Sequence, residues 1–444
     1  MLKVAKFGGS SLASAEQFKR VKSIIEADPA RMCVIVSAAG KRSKKDSKIT
    51  DLLYLTHAHI NYGVSHEDIF SLIEQRYYDI RSELNLSFDL ESEFAHLRSQ
   101  LNSDISVDYL VSRGEYLTAR LMSEYLGYAF IDAAECVIFS YDGQIDYEKT
   151  YAAIAERAVL TPRFVMPGFY GSMPNGNIRV MTRGGSDITG AIVANALDAD
   201  IYENWTDVSG ILMADPKVVE NPSPIPFITY QELRELSYMG ASVLHEESIL
   251  PVKEKNIPLN IRNTNRPQDA GTMIMENIDD SMMRKDSFIT GIAGRKSFTV
   301  LTIYKKHIST DTTIIRSTLE MLEAYKVEVE HITLGVDSFN VVMPTAQIRD
   351  RIYDIISDIK RKLKPDRIKT DDNIALIACV GRRMVSVPGS SAKLFGALGE
   401  KNINIRMIAQ GSEEISIIVG VNNRDFENTI RTLYHGFMKQ EEEA

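Results

Sequence analysis

Residues 181–217 read MTRGGSDITGAIVANALDADIYENWTDVSGILMADPK, and the fold follows from how this stretch is parsed. Arg183 precedes the pair Gly184-Gly185. Ser186 and Asp187 then open a run, Ile188 to Leu197, that is apolar almost all round. Such a run with Ser and Asp at its start predicts a buried helix with a capped N-terminus. Ile201-Tyr202 begins a short strand, Trp205-Thr206-Asp207 ends it, Val208-Ser209-Gly210 turns, and Asp215-Pro216-Lys217 follows. Free N–H groups at a helix start favour an anion, and an arginine adds a fork for carboxylate or phosphate. Asp187 beside them suits an ammonium. Arginine plus acid at one spot is the chemistry an α-amino acid zwitterion needs. The plainer parse, with Gly-Gly a turn, Asp187 an N-cap and Arg183 a surface charge, stays open on chemistry alone.

Composition bounds the reading. A chain of 444 residues, 44% hydrophobic and 25% charged, suits a globular protein of roughly three domains. A net charge of −9 argues against nucleic acid as a general partner. Cys33, Cys136 and Cys379 are far apart, odd in number and without metal spacing, which points to a reducing cytoplasm. No apolar run approaches the ~18 residues of a membrane span.

Working outward, Leu2–Phe7 is a β-rich segment with Lys6 near its end, followed by Gly8-Gly9-Ser10-Ser11 and an amphipathic helix bearing Phe18, Val21, Ile24 and Ile25. Strand, glycine turn, helix lets backbone N–H groups cradle phosphate, although a GG turn alone is equally a structural feature. Met32–Ser37 suits a buried parallel strand. Alternating strands and helices imply an α/β fold with a mainly parallel sheet, whose ligands sit beyond the strands' C-terminal ends, where Ser37 lies. Residues 41–48, KRSKKDSK, form a basic loop, either a solvated flap or a lid over polyphosphate. Ser112-Arg113-Gly114-Glu115 is read as opening a helix, with Glu115 in its first turn. Asn175-Gly176 marks a hairpin.

The runs KFGGSS, SRGE, TRGGSD and TDVSGILMADPK, in this order and spacing, resemble the aspartokinase branch of the amino acid kinase family. The resemblance covers essentially the whole chain. It implies an N-terminal αβα sandwich around a mainly parallel sheet, residues 1–285, that phosphorylates the side-chain carboxylate of L-aspartate with ATP and Mg2+. That reaction opens lysine, threonine and methionine biosynthesis. By resemblance, Lys6 neutralises the transferring phosphate, with Gly8, Gly9 and Ser10 lining the turn. Arg183 holds the substrate carboxylate, and Glu115 and Asp187 its ammonium. Ser37, Thr50, Phe169, Gly184, Gly185 and Ser186 contact substrate. Thr206, Asp207, Gly210, Leu212, Lys217, Ser242 and Val243 fall in the nucleotide half. Leu212 stands where a tyrosine is common, Lys217 where an arginine is, and Ser242 where many relatives have lysine. No residue is assigned as a metal ligand.

The last third repeats itself. Leu319, Leu322 and Val327-x-Val329 recur as Phe395, Leu398 and Ile403-x-Ile405, an offset of about 76 residues. Each copy reads strand, helix, strand, strand, helix, strand, a ferredoxin-like order. The pair resembles tandem ACT domains, 286–370 and 371–444, which sense amino acids and associate as homodimers or tetramers; such pairs often interleave, which implies that the strand near Phe298–Tyr304 pairs across the copies. By position, an effector in the first copy would meet Ile308, Asp311, Ile314, Ile315, Val329 and Glu330; the two acids make lysine the first candidate and threonine the second. Two rivals stand beside the aspartate kinase: a kinase acting on glutamate or acetylglutamate, and an amino-acid sensor that has lost catalysis. SRGE and the paired copies speak against the first, and the intact Lys6, Glu115, Arg183 and Asp187 against the second.

Overall fold

The structure, a computed structural model, describes residues 1–442 apart from 183, 242–243, 245–247, 280–287, 307, 309–311, 386 and 414. Arg183, Ser242, Val243 and Asp311 therefore lie outside the described residues. The chain divides into two compact units, and neither is one continuous stretch. The first comprises Met1–Ile211, Pro224–Gln231 and Val243–Met282; the second comprises Leu212–Ser223, Glu232–Ser242 and Met283–Ala444.

In chain order the elements are β1 (Lys3–Phe7), α1 (Ala15–Glu26), β2 (Arg31–Val36), α2 (Ile49–Asn61), α3 (Glu67–Leu84), α4 (Leu90–Gln100), α5 (Val107–Leu126), β3 (Ala129–Phe130), α6 (Ala133–Cys136), α7 (Tyr147–Leu160), β4 (Phe164–Pro167), β5 (Tyr170–Ser172), β6 (Ile178–Val180), α8 (Gly185–Ala196), β7 (Ile201–Thr206), β8 (Phe227–Thr229), α9 (Tyr230–Tyr238), α10 (Leu250–Glu254), β9 (Leu259–Asn263) and β10 (Thr272–Met275). The eight-stranded sheet runs β3-β4-β2-β1-β7-β9-β10-β8. Strands β3 to β9 in that order pair in parallel, and β10 turns antiparallel against β9. The expected α/β class with a mainly parallel sheet is what the molecule shows. One face of the sheet, through Ala5, Phe7, Val34, Val36 and Trp205, packs on α1 to α5. Helix α8 is buried nearly all round, as its apolar sequence predicts. The predicted hairpin is β5-β6, with Gly176 at φ 82° in its turn.

The second unit continues with β11 (Gly291–Tyr304), α11 (Thr312–Ala324), β12 (His331–Leu334), β13 (Ser338–Pro344), α12 (Thr345–Ile348), α13 (Ile352–Leu363), β14 (Arg367–Val380), α14 (Ser390–Glu400), β15 (Met407–Gln410), β16 (Ser416–Asn422) and α15 (Phe426–Glu442). Its strands form one antiparallel sheet, β12-β13-β11-β14-β16-β15. The repeat is real, but its bookends differ from the expected order. The second copy ends on α15, and its fourth strand is Gly291–Arg295 of β11, paired with Leu376–Val380. Conversely, Arg367–Asp371 of β14 completes the first copy. Two apolar clusters lie under the sheet, one per copy. Ala214 and Val219, from the early segment of this unit, belong to the second copy's cluster.

Candidate active site

The sheet's central strands and the start of α8 assemble the site. Val4 and Lys6 face the α8 side of β1, because Ala5 and Phe7 point into the opposite core. Lys6 is 7% exposed, and its Nζ lies 2.5 Å from Asp187 Oδ1. The same oxygen accepts a hydrogen bond from Asn204 Nδ2 at 2.9 Å. Tyr202 O–H donates to the Asp187 main-chain carbonyl at 3.0 Å. A buried charge persists when it is paired and hydrogen-bonded, and here both conditions hold.

The turn after β1 is packed backbone to backbone. Gly8 N–H donates to Trp205 O at 2.9 Å, and Gly40 N–H to Gly9 O at 2.8 Å. A Cβ on Gly9 would lie 2.8 Å from Ala38 O, and one on Gly40 would lie 2.5 Å from the Gly9 carbonyl carbon. Neither position admits a side chain. Ser10 follows in a 3-10 turn, and Ser11 Oγ is 2.7 Å from Thr264 Oγ1. Arg76, from α3, clamps this region: Nη1 donates to Gly40 O at 2.7 Å and Nη2 to Asp46 Oδ2 at 2.6 Å. Asp46 thereby tethers the basic loop, whose Lys41, Lys44, Lys45 and Lys48 are exposed. Ser37, half-buried, ends β2, and Thr50 sits in the first turn of α2.

Glu115 requires a correction. It does not lie in a first turn, because α5 starts at Val107 and carries Glu115 in its interior. Gly114 lies inside the same helix: a Cβ there would meet Ala38 Cβ at 2.9 Å, so the glycine lets α5 approach the Ser37–Gly40 segment. Glu115 is 4% exposed and Oε2 has no hydrogen-bond partner among the described residues. Burial pushes its carboxyl up to about 8, opposed by the Ala38 amide and then by the Arg113 charge. Arg113 itself stacks over Tyr109, Tyr116 and Tyr170.

Phe169 holds φ 79°, a left-handed conformation costly for a bulky residue. Its N–H donates to Thr189 Oγ1 at 3.1 Å, and its ring fills the space a Cβ on Gly185 would need, 2.7 Å from Cδ2. Gly184, at φ 74°, caps α8, and Ser186 is buried in its first turn. Thus Lys6, Gly8, Gly9, Asp187 and the Phe169 turn come together around the α8 start. Thr206 ends β7, with Asp207 exposed after it and Gly210, at φ 98°, against Thr272. Leu212 and Lys217 belong to the second unit, where Lys217 is exposed.

In the second unit, Ile315 and Val329 line a groove of about 780 Å³ beside α11, together with Arg316, Glu323 and Glu328. Ile308 and Ile314 instead point into the core cluster. The Glu330 carboxyl is raised by burial and opposed by Arg295, whose Nη1 lies 3.5 Å away.

Asn204, Tyr202, Thr189 and Arg76 are absent from the sequence expectations. Their only signal is polarity inside buried elements; in IYENWT, a central strand of a parallel sheet, an asparagine is out of place.

The family model described as the amino acid kinase family matches residues 1–263, and an ACT domain model matches 377–437. Aspartokinase 3 of Bacillus subtilis (strain 168) is 34% identical, covering 98% of each chain. This chain belongs to the aspartokinases. An aspartate kinase from Clostridium acetobutylicum superposes with a TM-score of 0.90 at 47% identity, over 98% of this chain and 99% of that one. E. coli aspartokinase III, solved with aspartate and ADP and with lysine and aspartate, shares the fold at TM-scores of 0.74 and 0.75. The identities there are 23% and 24%, with at least 98% of each chain covered. The molecule is thus an aspartate kinase, a phosphotransferase with a carboxyl acceptor, carrying an ACT domain. Among the described residues no helix is long and apolar enough to cross a membrane.

Proposed function

We propose that this aspartokinase transfers the γ-phosphoryl group of ATP to the side-chain carboxylate of L-aspartate, giving ADP and 4-phospho-L-aspartate. The observation that carries the reading is the buried Lys6 ammonium, held against Asp187 beside the Gly8-Gly9 turn. An aspartate carboxylate is already ionised at neutral pH, so no strong general base is needed. Its oxygen forms the new bond to the γ-phosphorus as the bond to the β,γ-bridging oxygen breaks. The protein's share is alignment and charge neutralisation. Lys6 and the Gly9 amide offset the charge on the transferring group, and Gly8, whose N–H is held by Trp205 O, shapes the turn. Arg183 takes the substrate's α-carboxylate, Glu115 and Asp187 its ammonium, and Ser37, Thr50, Phe169 and Gly184 to Ser186 enclose it. Thr206, Asp207, Gly210, Leu212, Lys217, Ser242 and Val243 serve the nucleotide.

Mg2+ arrives with the nucleotide and lowers the charge of its phosphates. Residues 1–285 form the catalytic domain, and 286–370 and 371–444 the two ACT domains, through which the enzyme forms a homodimer or tetramer in the cytoplasm. The acids Glu320, Glu323 and Glu328 lining the α11 groove support lysine as feedback inhibitor, with threonine next.

Hydroxylamine trapping tests this. Purified protein with Mg-ATP should yield hydroxamate with aspartate and not with glutamate, and millimolar lysine should lower the yield. Hydroxamate indifferent to lysine moves the effector assignment to threonine. No hydroxamate from folded protein overturns the catalytic reading.

A further inference from the structure

We propose that Asn204 is a positioning residue for phosphoryl transfer: its side-chain amide orients the Asp187 carboxylate and keeps it partnered when the Lys6 ammonium turns to phosphate. The proposal rests on the roles given above to Lys6 and Asp187.

The geometry begins with strand register. Lys6 on β1 is the direct partner of Asn204 on β7, so the two side chains leave the sheet on the same face, side by side. Both reach one atom, Asp187 Oδ1, Lys6 at 2.5 Å and Asn204 at 2.9 Å. Two residues back on the same face of β7, Tyr202 O–H holds the main-chain carbonyl of Asp187. One strand therefore grips Asp187 at both its backbone and its carboxylate. The strand is itself locked from behind. On its other face Glu203, 1% exposed, accepts from Arg31 Nε at 2.7 Å, from Arg31 Nη2 at 3.1 Å and from Trp205 Nε1 at 2.9 Å. Trp205 stacks on Phe7 of β1.

Why an amide serves here follows from charge. A carboxylate's terminal torsion is broad, and a lysine stem is flexible, so the ion pair alone leaves the carboxylate loosely oriented. A second cation would fix it but would compete for the charge that attracts Lys6. An asparagine N–H orients the carboxylate and leaves the pair's charge unchanged. When phosphate draws Lys6 away, the partly buried Asp187 carboxylate exchanges that partner for the substrate ammonium, and a fixed donor keeps its orientation through the exchange. Asn204, itself 3% exposed, already occupies that role. Its effect therefore falls on the step in which Lys6 serves the phosphate.

The test is Asn204→Leu, which keeps the volume and removes the donor, assayed by steady-state kinetics with ATP and aspartate. The expected result is a fall in kcat of about 10- to 100-fold with the KM for ATP within about twofold. Placed on Asp187→Asn, the same change should cost less than about twofold further, since Asn204 acts through Asp187. Asn204→Val, suited to a strand, uncharged and unable to donate, covers the case in which the leucine variant fails to fold, and should show the same fall. A kcat within about twofold of wild type for a folded Asn204 variant, or an equal cost in both backgrounds, overturns the proposal. If wild-type protein forms no acyl phosphate, or Lys6→Ala turns over normally, the reading of the site falls and takes this proposal with it.

Discussion

Lys6 and Asp187 meet at 2.5 Å, one from the first strand of the chain and the other from the first turn of a helix that starts at Gly185. Neither position is meaningful without the other. The ammonium is nearly buried and depends on its carboxylate partner, and the parallel sheet exists in part to bring them together. Lys6→Ala should lower kcat at least about a hundredfold, the scale seen when one preorganised electrostatic donor is removed. The fold should survive, because Asp187 keeps Asn204. Far-ultraviolet circular dichroism alongside the hydroxamate assay checks both halves; a folded, fully active variant would refute the assignment.

Glu115 gives the enzyme a pH signature. Burial moves its carboxyl from the usual 4.5 to about 8, so the folded chain keeps a proton that the unfolded chain has lost over that interval. Folding takes up a proton across this window. The contribution of Glu115 to stability thus becomes less favourable as pH rises from 4.5 to about 8, and is level above it. Glu115→Gln should accordingly stabilise the protein at pH 8.5, by on the order of a few kcal/mol, and do nothing at pH 4.5. Thermal unfolding at the two pH values decides this; equal shifts at both would exclude a titrating Glu115.

Substrate binding should report the same group. An ammonium brought to Glu115 favours its ionised form, so aspartate binding near pH 7 should release a proton, and Glu115→Gln should abolish the release. Calorimetry in two buffers of different ionisation enthalpy measures it directly. Buffer-independent heats from the wild-type enzyme would place the substrate ammonium elsewhere.

Glu203 is the buried counter-charge of the sheet. Arg31 pairs with it at 2.7 Å, while Lys3 and Arg262 lie within 4 Å of it. Glu203→Leu leaves these cations without it and should cost about 3–5 kcal/mol, whereas adding Arg31→Met should recover a good part. Urea unfolding supplies the numbers, and a loss under about 1 kcal/mol from the single change would show the network to be dispensable.

Truncation after residue 285 should not yield a well-behaved kinase domain. Ala214 and Val219 pack in the apolar cluster formed with Ile292, Ile377 and Leu433, and Ser223 N–H donates to Tyr434 Oη at 2.8 Å. Cutting the chain there exposes apolar surface that the rest of the second unit covers. Size-exclusion chromatography should find aggregates; a monodisperse, active 1–285 fragment would contradict this.

Much of this was legible beforehand because glycine pairs mark where backbone must approach backbone. Gly8-Gly9 and Gly184-Gly185 announced the two turns that flank Lys6 and Asp187, and the all-apolar run after Asp187 announced α8. Gly114 misled for the same reason. Within Ser112–Glu115 it suggests a helix start, whereas its missing side chain serves a close contact in the middle of a helix. Asn204 could not be found, because a strand's pattern shows which residues share a face but not what stands opposite. The exchange between β11 and β14 is legible in part: Phe298–Tyr304 pairs with β14, as interleaved copies imply, while the assignment of Gly291–Arg295 to the second copy's sheet lies outside the repeat pattern.

That exchange has a mechanical consequence. β11 and β14 each run 14 residues and stay hydrogen-bonded to one another from Gly291–Val380 at one end to Tyr304–Arg367 at the other, with a local bulge between. Flexing one copy of the repeat against the other would have to break rungs of that ladder. The two copies are thus joined as a single plank instead of two beads on a string.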